Sequence, residues 1–401
     1  MTDSARLRQV MVEGLVAAGE LGSPRVRAAF ADVPRELFVP EIAQSHGLAH
    51  VYEDRALVTQ ERHGVPTSSS SQPMVMALML EALGVGEGDR VLEIGLGTGY
   101  NAALLTQLAG RDGGITSIDI DEGVVGRAQG VLRSNGFQVT TAVADGRGGY
   151  PGGAPYDRII VTASSDAVPR AWWEQLAPGG VLVVPLRVDA MQIIAVFERV
   201  GSGFRSRSLI PGGFMPLRDP ESSDGSAPAE ATPTVSVRTS LPGRPSEYLS
   251  AVGPALARLS PLALRRLLGH LVLDAARTSV AAYDGMPVIW HTALTSDPKR
   301  HIAAYLDFRG IRFGLADLGS GAFSTFAAQR VGGRIELVGI DTFGPDPTGV
   351  DELLAHLQRW IDSGSPSMDR MTVEVTYGDA PSGPALRTVE HADHRLSFAW
   401  S

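Results

Sequence analysis

The chain has 401 residues, enough for two domains with a sizeable core in each. Its 35 Lys and Arg against 44 Asp and Glu leave a net charge of −9 with no long basic run, which speaks against bulk nucleic-acid binding, since phosphate contacts need clustered cations. There is no cysteine, which excludes disulfides, thiol catalysis and thiolate metal sites; with no signal-peptide-like start and no apolar run near the roughly 20 residues that cross a bilayer, a cytoplasmic, membrane-free protein is expected.

Residues 4–20 carry Leu7, Val10, Met11 and Leu15 at helical spacing and predict an opening amphipathic helix. Ser23-Pro24 predicts a second helix to about Phe30, with the serine as N-cap and the proline at the first helical position. Asp32-Val-Pro-Arg-Glu-Leu-Phe-Val-Pro40 reads as a proline-punctuated loop and Tyr52-Glu-Asp-Arg-Ala-Leu57 as a short extended piece. Thr67-Ser-Ser-Ser-Ser-Gln-Pro73 reads as a hydroxyl-rich N-cap for a helix over Met74 to Leu83, with Val75, Leu78, Met79 and Ala82 on its inner face.

Val91, Leu92 and Ile94 form a short buried strand, and Gly95, Gly97 and Gly99 then let the backbone turn sharply and approach a ligand. A helix from Asn101 to Ala109 follows at once, so its free N–H groups face whatever sits over the glycines. The dinucleotide fingerprint needs a glycine where this chain has Tyr100, and the Gly-Lys-Ser/Thr of a P-loop is absent. What remains, Glu-x-Gly-x-Gly-x-Gly, resembles the first motif of the S-adenosylmethionine-dependent methyltransferases. It implicates Glu93, Gly95, Gly97, Thr98 and Gly99 in holding that cofactor. Ile115 to Ile120 is a second strand carrying Asp119, whose carboxylate suits two ribose hydroxyls; Asp121 is the alternative. Val139 to Ala144 is a third, with Asp145-Gly146 at its tip, where a carboxylate can accept from an adenine amino group. Asp157 to Thr162 and Val181 to Pro185 continue the sheet, and Gln192 to Phe197 reads as an added strand near its edge. Strands alternating with helices predict an α/β doubly wound sheet with ligands at the strands' C-terminal ends.

The ordered set Val-Pro-Arg-Glu-Leu-Phe-Val-Pro, Tyr-Glu-Asp-Arg-Ala-Leu, Ser-Gln-Pro, the glycine loop, Ala144-Asp-Gly146, Tyr156 to Ala163, Leu176-Ala-Pro-Gly-Gly180 and Phe214-Met-Pro-Leu217 resembles the protein-L-isoaspartate O-methyltransferase family. The resemblance covers residues 1–218 and implies a Rossmann-like class I methyltransferase domain. It favours Asp119 over Asp121 at the ribose and makes Ser71 the residue that meets the substrate carboxylate, with Asp54, Ser69, Ser70 and Gln72 as substrate-binding neighbours. Two departures stand out. The segment between Leu57 and Ser71 is a few residues longer than in the repair enzymes, and Ser69-Ser70 replaces their usual Thr-Ile. Methyl transfer to a carboxylate is a direct displacement by a nucleophile already ionised at neutral pH. No general base or metal is needed, and catalysis rests on alignment.

By composition, residues 219–234 form a linker, and residues 235–401 are expected to form a smaller α+β domain. Helices are predicted over residues 260–273 and 350–361, and strands over residues 334–340, 371–377 and 396–400. His391-Ala-Asp-His394 lies in a polar turn without further metal-ligand spacing, and it reads as structural, as do His270, His291 and His301. Such an extension resembles the family's peptide-modifying branch, encoded beside ribosomally made lanthipeptides of the FxLD type. That resemblance implies a macrocyclic modified precursor peptide as partner, recognised in part by the C-terminal domain and methylated on an ordinary Asp toward aspartimide or isoaspartate. The alternative is repair of isoaspartyl residues in damaged proteins.

Overall fold

The computed structural model describes residues 3–62, 65–188, 191–218, 300–307, 310–317, 322–331, 334–343, 371–378, 385 and 387–400. The chain divides into two compact units: Met1–Leu186 with Gln192–Ser226 and Thr372–Phe398, and Arg187–Met191 with Ala227–Met371 and Ala399–Ser401.

The first unit opens with α1 (Asp3–Ala17) and α2 (Pro24–Asp32). Ser23 caps α2 as expected, its side chain accepting from Val26 N. In α1 the inner face is Met11, Val12 and Leu15, whereas Val10 is exposed. The stretch Asp32–Pro40, expected as a loop, instead holds a 3-10 turn at Arg35–Phe38 and the start of α3 (Pro40–His46), and α4 (Leu48–Val51) follows. Pro40 begins a helix, the one helical position where its missing N–H costs nothing.

Next come β1 (Leu57–Arg62) and β2 (Val65–Ser70), an antiparallel hairpin in which Leu57 pairs with Ser70. The serine run is therefore largely strand and not a helix cap. In α5 (Pro73–Leu83) the capping position is Gln72, whose side chain makes no cap bond; Asp54 Oδ1 accepts from Met74 N instead, at 2.8 Å. The buried face of α5 is Met76, Ala77, Met79, Leu80 and Leu83, which differs from the expected face. Apart from Glu81 the helix is apolar all round, so periodicity does not say which side faces the core.

In the parallel half of the sheet the strands and the helix after the glycines fall where expected, with β7 longer than expected and α7 and α8 not placed by the sequence: β3 (Arg90–Ile94), α6 (Tyr100–Ala109), β4 (Gly114–Asp119), α7 (Glu122–Ser134), β5 (Val139–Val143), β6 (Tyr156–Val161), α8 (Arg170–Gln175) and β7 (Leu176–Val188). β3 pairs in parallel with β4 on one side and β6 on the other, so the chain reverses its direction of winding at β3. The glycine loop thus leaves the sheet at the topological switch point, where doubly wound folds hold ligands.

β8 (Met191–Val200) and β9 (Gly203–Pro211) extend the sheet. The second unit's described strands, β10 (Arg300–Asp307), β11 (Gly310–Asp317), β12 (Ala322–Val331) and β13 (Arg334–Phe343), form an antiparallel meander in that order. β14 (Met371–Tyr377), β15 (Arg387–Glu390) and β16 (His394–Trp400) join the first unit's sheet, whose order is β15-β16-β14-β9-β8-β7-β6-β3-β4-β5. This corrects two expectations. The strands at 371–377 and 394–400 do not belong to a separate C-terminal sheet, and the strand containing Gln192–Phe197 is interior, not near the edge. The junction is well packed: Tyr377 Oη donates to Val168 O at 2.8 Å, Val168 N donates to His394 Nε2 at 3.1 Å, and Val373, Leu396 and Phe398 are fully buried. The 219–234 linker and the helices at 260–273 and 350–361 lie outside the described residues, as does His270. Among the described residues no helix is long and apolar enough to cross a membrane, and no group of three or more His, Asp or Glu is placed to hold a metal.

Candidate active site

The turn after β3 is built from three glycines at positive φ: Gly95 (106°), Gly97 (52°) and Gly99 (86°). Gly95 N and Leu96 N donate to Ile118 O at 2.8 and 3.0 Å, which pins the loop to β4. A Cβ on Gly95 would overlap Thr162 Oγ1, which itself donates to Gly95 O at 2.6 Å. Thr98 Oγ1 accepts from Tyr100 N at 3.4 Å, inside the first turn of α6. These bonds fix the loop in shape, and the start of α6 directly after it is where a helix offers N–H groups to a ligand.

Glu93 lies beneath this loop. It is fully buried, with Asn101 Nδ2 donating to Oε1 at 2.8 Å and Ser117 Oγ donating to Oε2. Burial pushes its carboxyl up to about 7, against the two hydrogen bonds that favour the charged form. Both oxygens are engaged by the protein's own donors, so Glu93 ties β3 to β4 and α6 from below.

At the tip of β4, Asp119 Oδ2 accepts from Gly97 N and Oδ1 from Asp121 N, each at 3.1 Å. Burial raises its pKa, partly offset by those two backbone N–H groups. A carboxylate has about four acceptor positions, so two remain for a ligand diol. Asp121 has another job. Its Oδ1 caps α7 through Val124 N at 3.1 Å, and its Oδ2 accepts from Arg62 at 2.8 Å and Gln60 at 3.3 Å. Burial would raise the Asp121 pKa, but the Val124 N–H, Arg62 and Arg218 outweigh it and hold the group below its usual range. Asp145 caps the short turn after β5 and pairs with Arg147 at 3.0 Å. Gly146 is buried, its carbonyl accepts from Trp172 Nε1 at 2.8 Å, and a Cβ there would overlap Ile94.

The expected substrate residues come together at the end of β2. Ser69 carbonyl oxygen lies 3.3 Å from where a Cβ on Gly97 would stand, so the serine run faces the glycine loop directly. Ser70 is buried, and Ser69 and Ser71 are half-buried. Among the described residues the Ser71 hydroxyl has no hydrogen-bond partner, whereas its carbonyl accepts from Arg35 at 2.9 Å. Asp54 Oδ2 accepts from Gln72 Nε2 at 2.9 Å, so Asp54 and Gln72 lock the start of α5 behind the serines.

Sequence reasoning did not single out Arg35, Gln60, Arg62, Thr162 or Arg218. Arg35 stands inside the Val-Pro-Arg-Glu motif, yet nothing local says that its side chain is buried. Gln60 and Arg62 belong to the hairpin that the serine-rich composition concealed. Arg218 approaches Asp119 at 3.5 Å and Asp121 at 3.6 Å.

The chain is similar to proteins of one family. Residues 6–222 match the family described as protein-L-isoaspartate(D-aspartate) O-methyltransferase. A protein-L-isoaspartate O-methyltransferase from Ignicoccus hospitalis is 36% identical over 217 residues, 53% of this chain and 98% of its own. One from Methanoregula boonei is 40% identical over 211 residues, 52% of this chain and 92% of its own. A solved structure of a protein-L-isoaspartate O-methyltransferase shares the fold at a TM-score of 0.53 and 22% identity, over 97% of this chain and 99% of that one. The chain belongs to the protein-L-isoaspartate(D-aspartate) O-methyltransferase family and is an S-adenosylmethionine-dependent carboxyl O-methyltransferase.

Proposed function

We propose that this enzyme methylates the free α-carboxylate of isoaspartyl residues in proteins and peptides. The observation that carries the reading is the half-buried Ser71 hydroxyl, uncommitted among the described residues, on a serine run set against Gly97. A hydroxyl there can donate to one carboxylate oxygen and leave the other aimed across the glycine loop. The pocket fits the cofactor: glycines at positive φ make a cradle that side chains would fill, the start of α6 offers N–H donors, and Asp119 keeps acceptor positions for a diol. Bound there, S-adenosylmethionine supplies an electrophilic methyl group. The chain's own residues align the two partners, and near-attack geometry of this kind is worth about 7–11 kcal/mol. The ester product then cyclises without help from the protein: the next residue's backbone N bonds to the ester carbonyl carbon, methanol leaves, and a succinimide forms that opens to Asp or isoaspartate.

This order of readings is the reverse of the one suggested by the C-terminal extension. The family match over residues 6–222 and the relatives named above, all protein-L-isoaspartate O-methyltransferases, support repair as the first reading. Methylation of an ordinary Asp in a macrocyclic, lanthipeptide-type precursor is the second reading. The hairpin favours it: β1–β2 lies in the segment that the family resemblance leads one to expect to be longer than in the repair enzymes, and through Gln60 and Arg62 it is bonded to Asp121 beside the cofactor acid. A longer wall beside the substrate suits a bulky ring. In that reading the second unit would add peptide contacts. Purified enzyme with S-adenosylmethionine and paired peptides, one isoaspartyl and one aspartyl, tests the proposal; base-labile methyl ester on the isoaspartyl peptide supports it, and ester on the aspartyl peptide alone defeats it.

A further inference from the structure

Arg35 is fully buried, yet its guanidinium meets almost nothing but neutral carbonyl oxygens. It donates to Val51 O at 2.9 Å, Glu53 O at 3.3 Å, Arg55 O at 3.0 Å, Ser70 O at 3.4 Å and Ser71 O at 2.9 Å, with Ser70 Oγ at 3.4 Å. Among the described residues it forms no ion pair. A buried cation without an anion is costly, and a hub that only tied loops together would do so more cheaply with neutral donors. Burial accordingly lowers its pKa, against the through-space pull of Tyr100 and Asp54. Asp54 is itself occupied by Met74 N and Gln72 Nε2.

Ser71 alone leaves a chemical gap. A hydroxyl donates to a carboxamide oxygen as well as to a carboxylate, more weakly but in the same geometry, so alone it discriminates only modestly by charge. The cations nearer the cofactor acids are engaged there, Arg62 with Asp121 and Arg218 with Asp119 and Asp121. Arg35 stands one hydrogen bond behind Ser71, in a dry setting where a charge acts over several ångströms with little screening. We propose that Arg35 is the positioning residue that makes this pocket prefer an anion: bonded to the Ser71 carbonyl, it holds the serine in place and supplies the positive field that selects a carboxylate over a neutral carboxamide.

The inference rests on the carboxylate reading of the Ser71 pocket, and the test separates the two. Full-length protein is saturated with S-adenosylhomocysteine, whose neutral sulfur removes the cofactor's own charge. Calorimetry then gives affinities for one linear isoaspartyl peptide with its α-carboxylate and for the same peptide as the α-carboxamide. Wild type should prefer the carboxylate by about tenfold or more, as two charges several ångströms apart in a poorly screened site require. Arg35→Lys should keep most of that ratio. Arg35→Gln should bring it to about twofold or less, with S-adenosylhomocysteine affinity changed by less than about threefold. Asp54→Asn keeps an acceptor for Met74 N while removing the competing anion, so it should raise the ratio. This second variant carries the test if Arg35→Gln fails to fold. A wild type without preference overturns the carboxylate reading and this inference together. A wild-type preference that survives unchanged in Arg35→Gln, with both peptides weakened equally, or that Asp54→Asn leaves unmoved, overturns the role of Arg35 alone.

Discussion

Glu93→Gln separates two roles that the first methyltransferase motif leaves entangled: contact with the cofactor, and support of the loop that makes the contact. The side chain is fully buried, and its carboxyl is pushed from 4.5 up to about 7, a difference worth about 3 kcal/mol. An unfolded chain loses that proton near pH 4.5, whereas the folded one keeps it to about 7. Folding is therefore penalised increasingly as pH rises through that window, and the full penalty stands above it. Glutamine does not titrate and fits the same bonds: its oxygen accepts from Asn101, and its amide donates to Ser117 once that hydroxyl turns to accept. The variant should match wild type at about pH 4 and exceed it by about 3 kcal/mol at about pH 9, an increase in Tm of roughly 6–12 °C for a unit of this size. Melting curves across that range give the comparison, and S-adenosylhomocysteine titration should show less than about a threefold change. A pH-independent difference in Tm, or a loss of cofactor affinity beyond about tenfold, would refute the reasoning.

Three further substitutions read other parts of the site. Ser71→Ala should lower kcat/KM for an isoaspartyl peptide by about 10- to 100-fold, as loss of one hydrogen bond to a charged group requires, while leaving S-adenosylhomocysteine affinity intact. Asp119→Asn should weaken S-adenosylhomocysteine by a similar factor in calorimetry, since one of the two acceptor oxygens that hold Gly97 N and Asp121 N becomes a donor. Tyr377→Phe removes the bond to Val168 O and should cost about 1 kcal/mol in chemical denaturation; an unchanged midpoint would argue against the docking of β14 on the main sheet.

The parallel half of the fold was legible because its signals are local. Apolar runs gave β3 through β7 nearly in register, the glycines located the turn, and Asp119 falls at the end of β4 as the spacing implied. The misreadings have physical causes. The α5 segment has one polar residue, Glu81, so no period distinguishes its buried face. Pro34 and Pro40 read as loop punctuation although a proline can equally open a helix. The serine run lacks the alternation that marks a strand, which hid the hairpin. Strands β14 and β16 were visible as strands, but β14, which links both to the main sheet, pairs with β9 more than 150 residues earlier in the chain, as with Glu374 opposite Arg205, and local pattern is silent on pairing at that distance. Arg35 shows the same limit for a single residue: an arginine between proline and glutamate looks solvated, and only the convergence of 51–55 with 70–71 buries it.

The most direct test of the account is intact mass spectrometry after incubation of the full-length enzyme and S-adenosylmethionine with two peptides together. One is linear with a single isoaspartate, and the other is ring-constrained with an ordinary Asp. The account predicts the mass of one added methylene on the linear isoaspartyl peptide, followed by loss of methanol as the succinimide closes. Methylation of the ring-constrained Asp alone would contradict it and return the enzyme to the peptide-modifying reading.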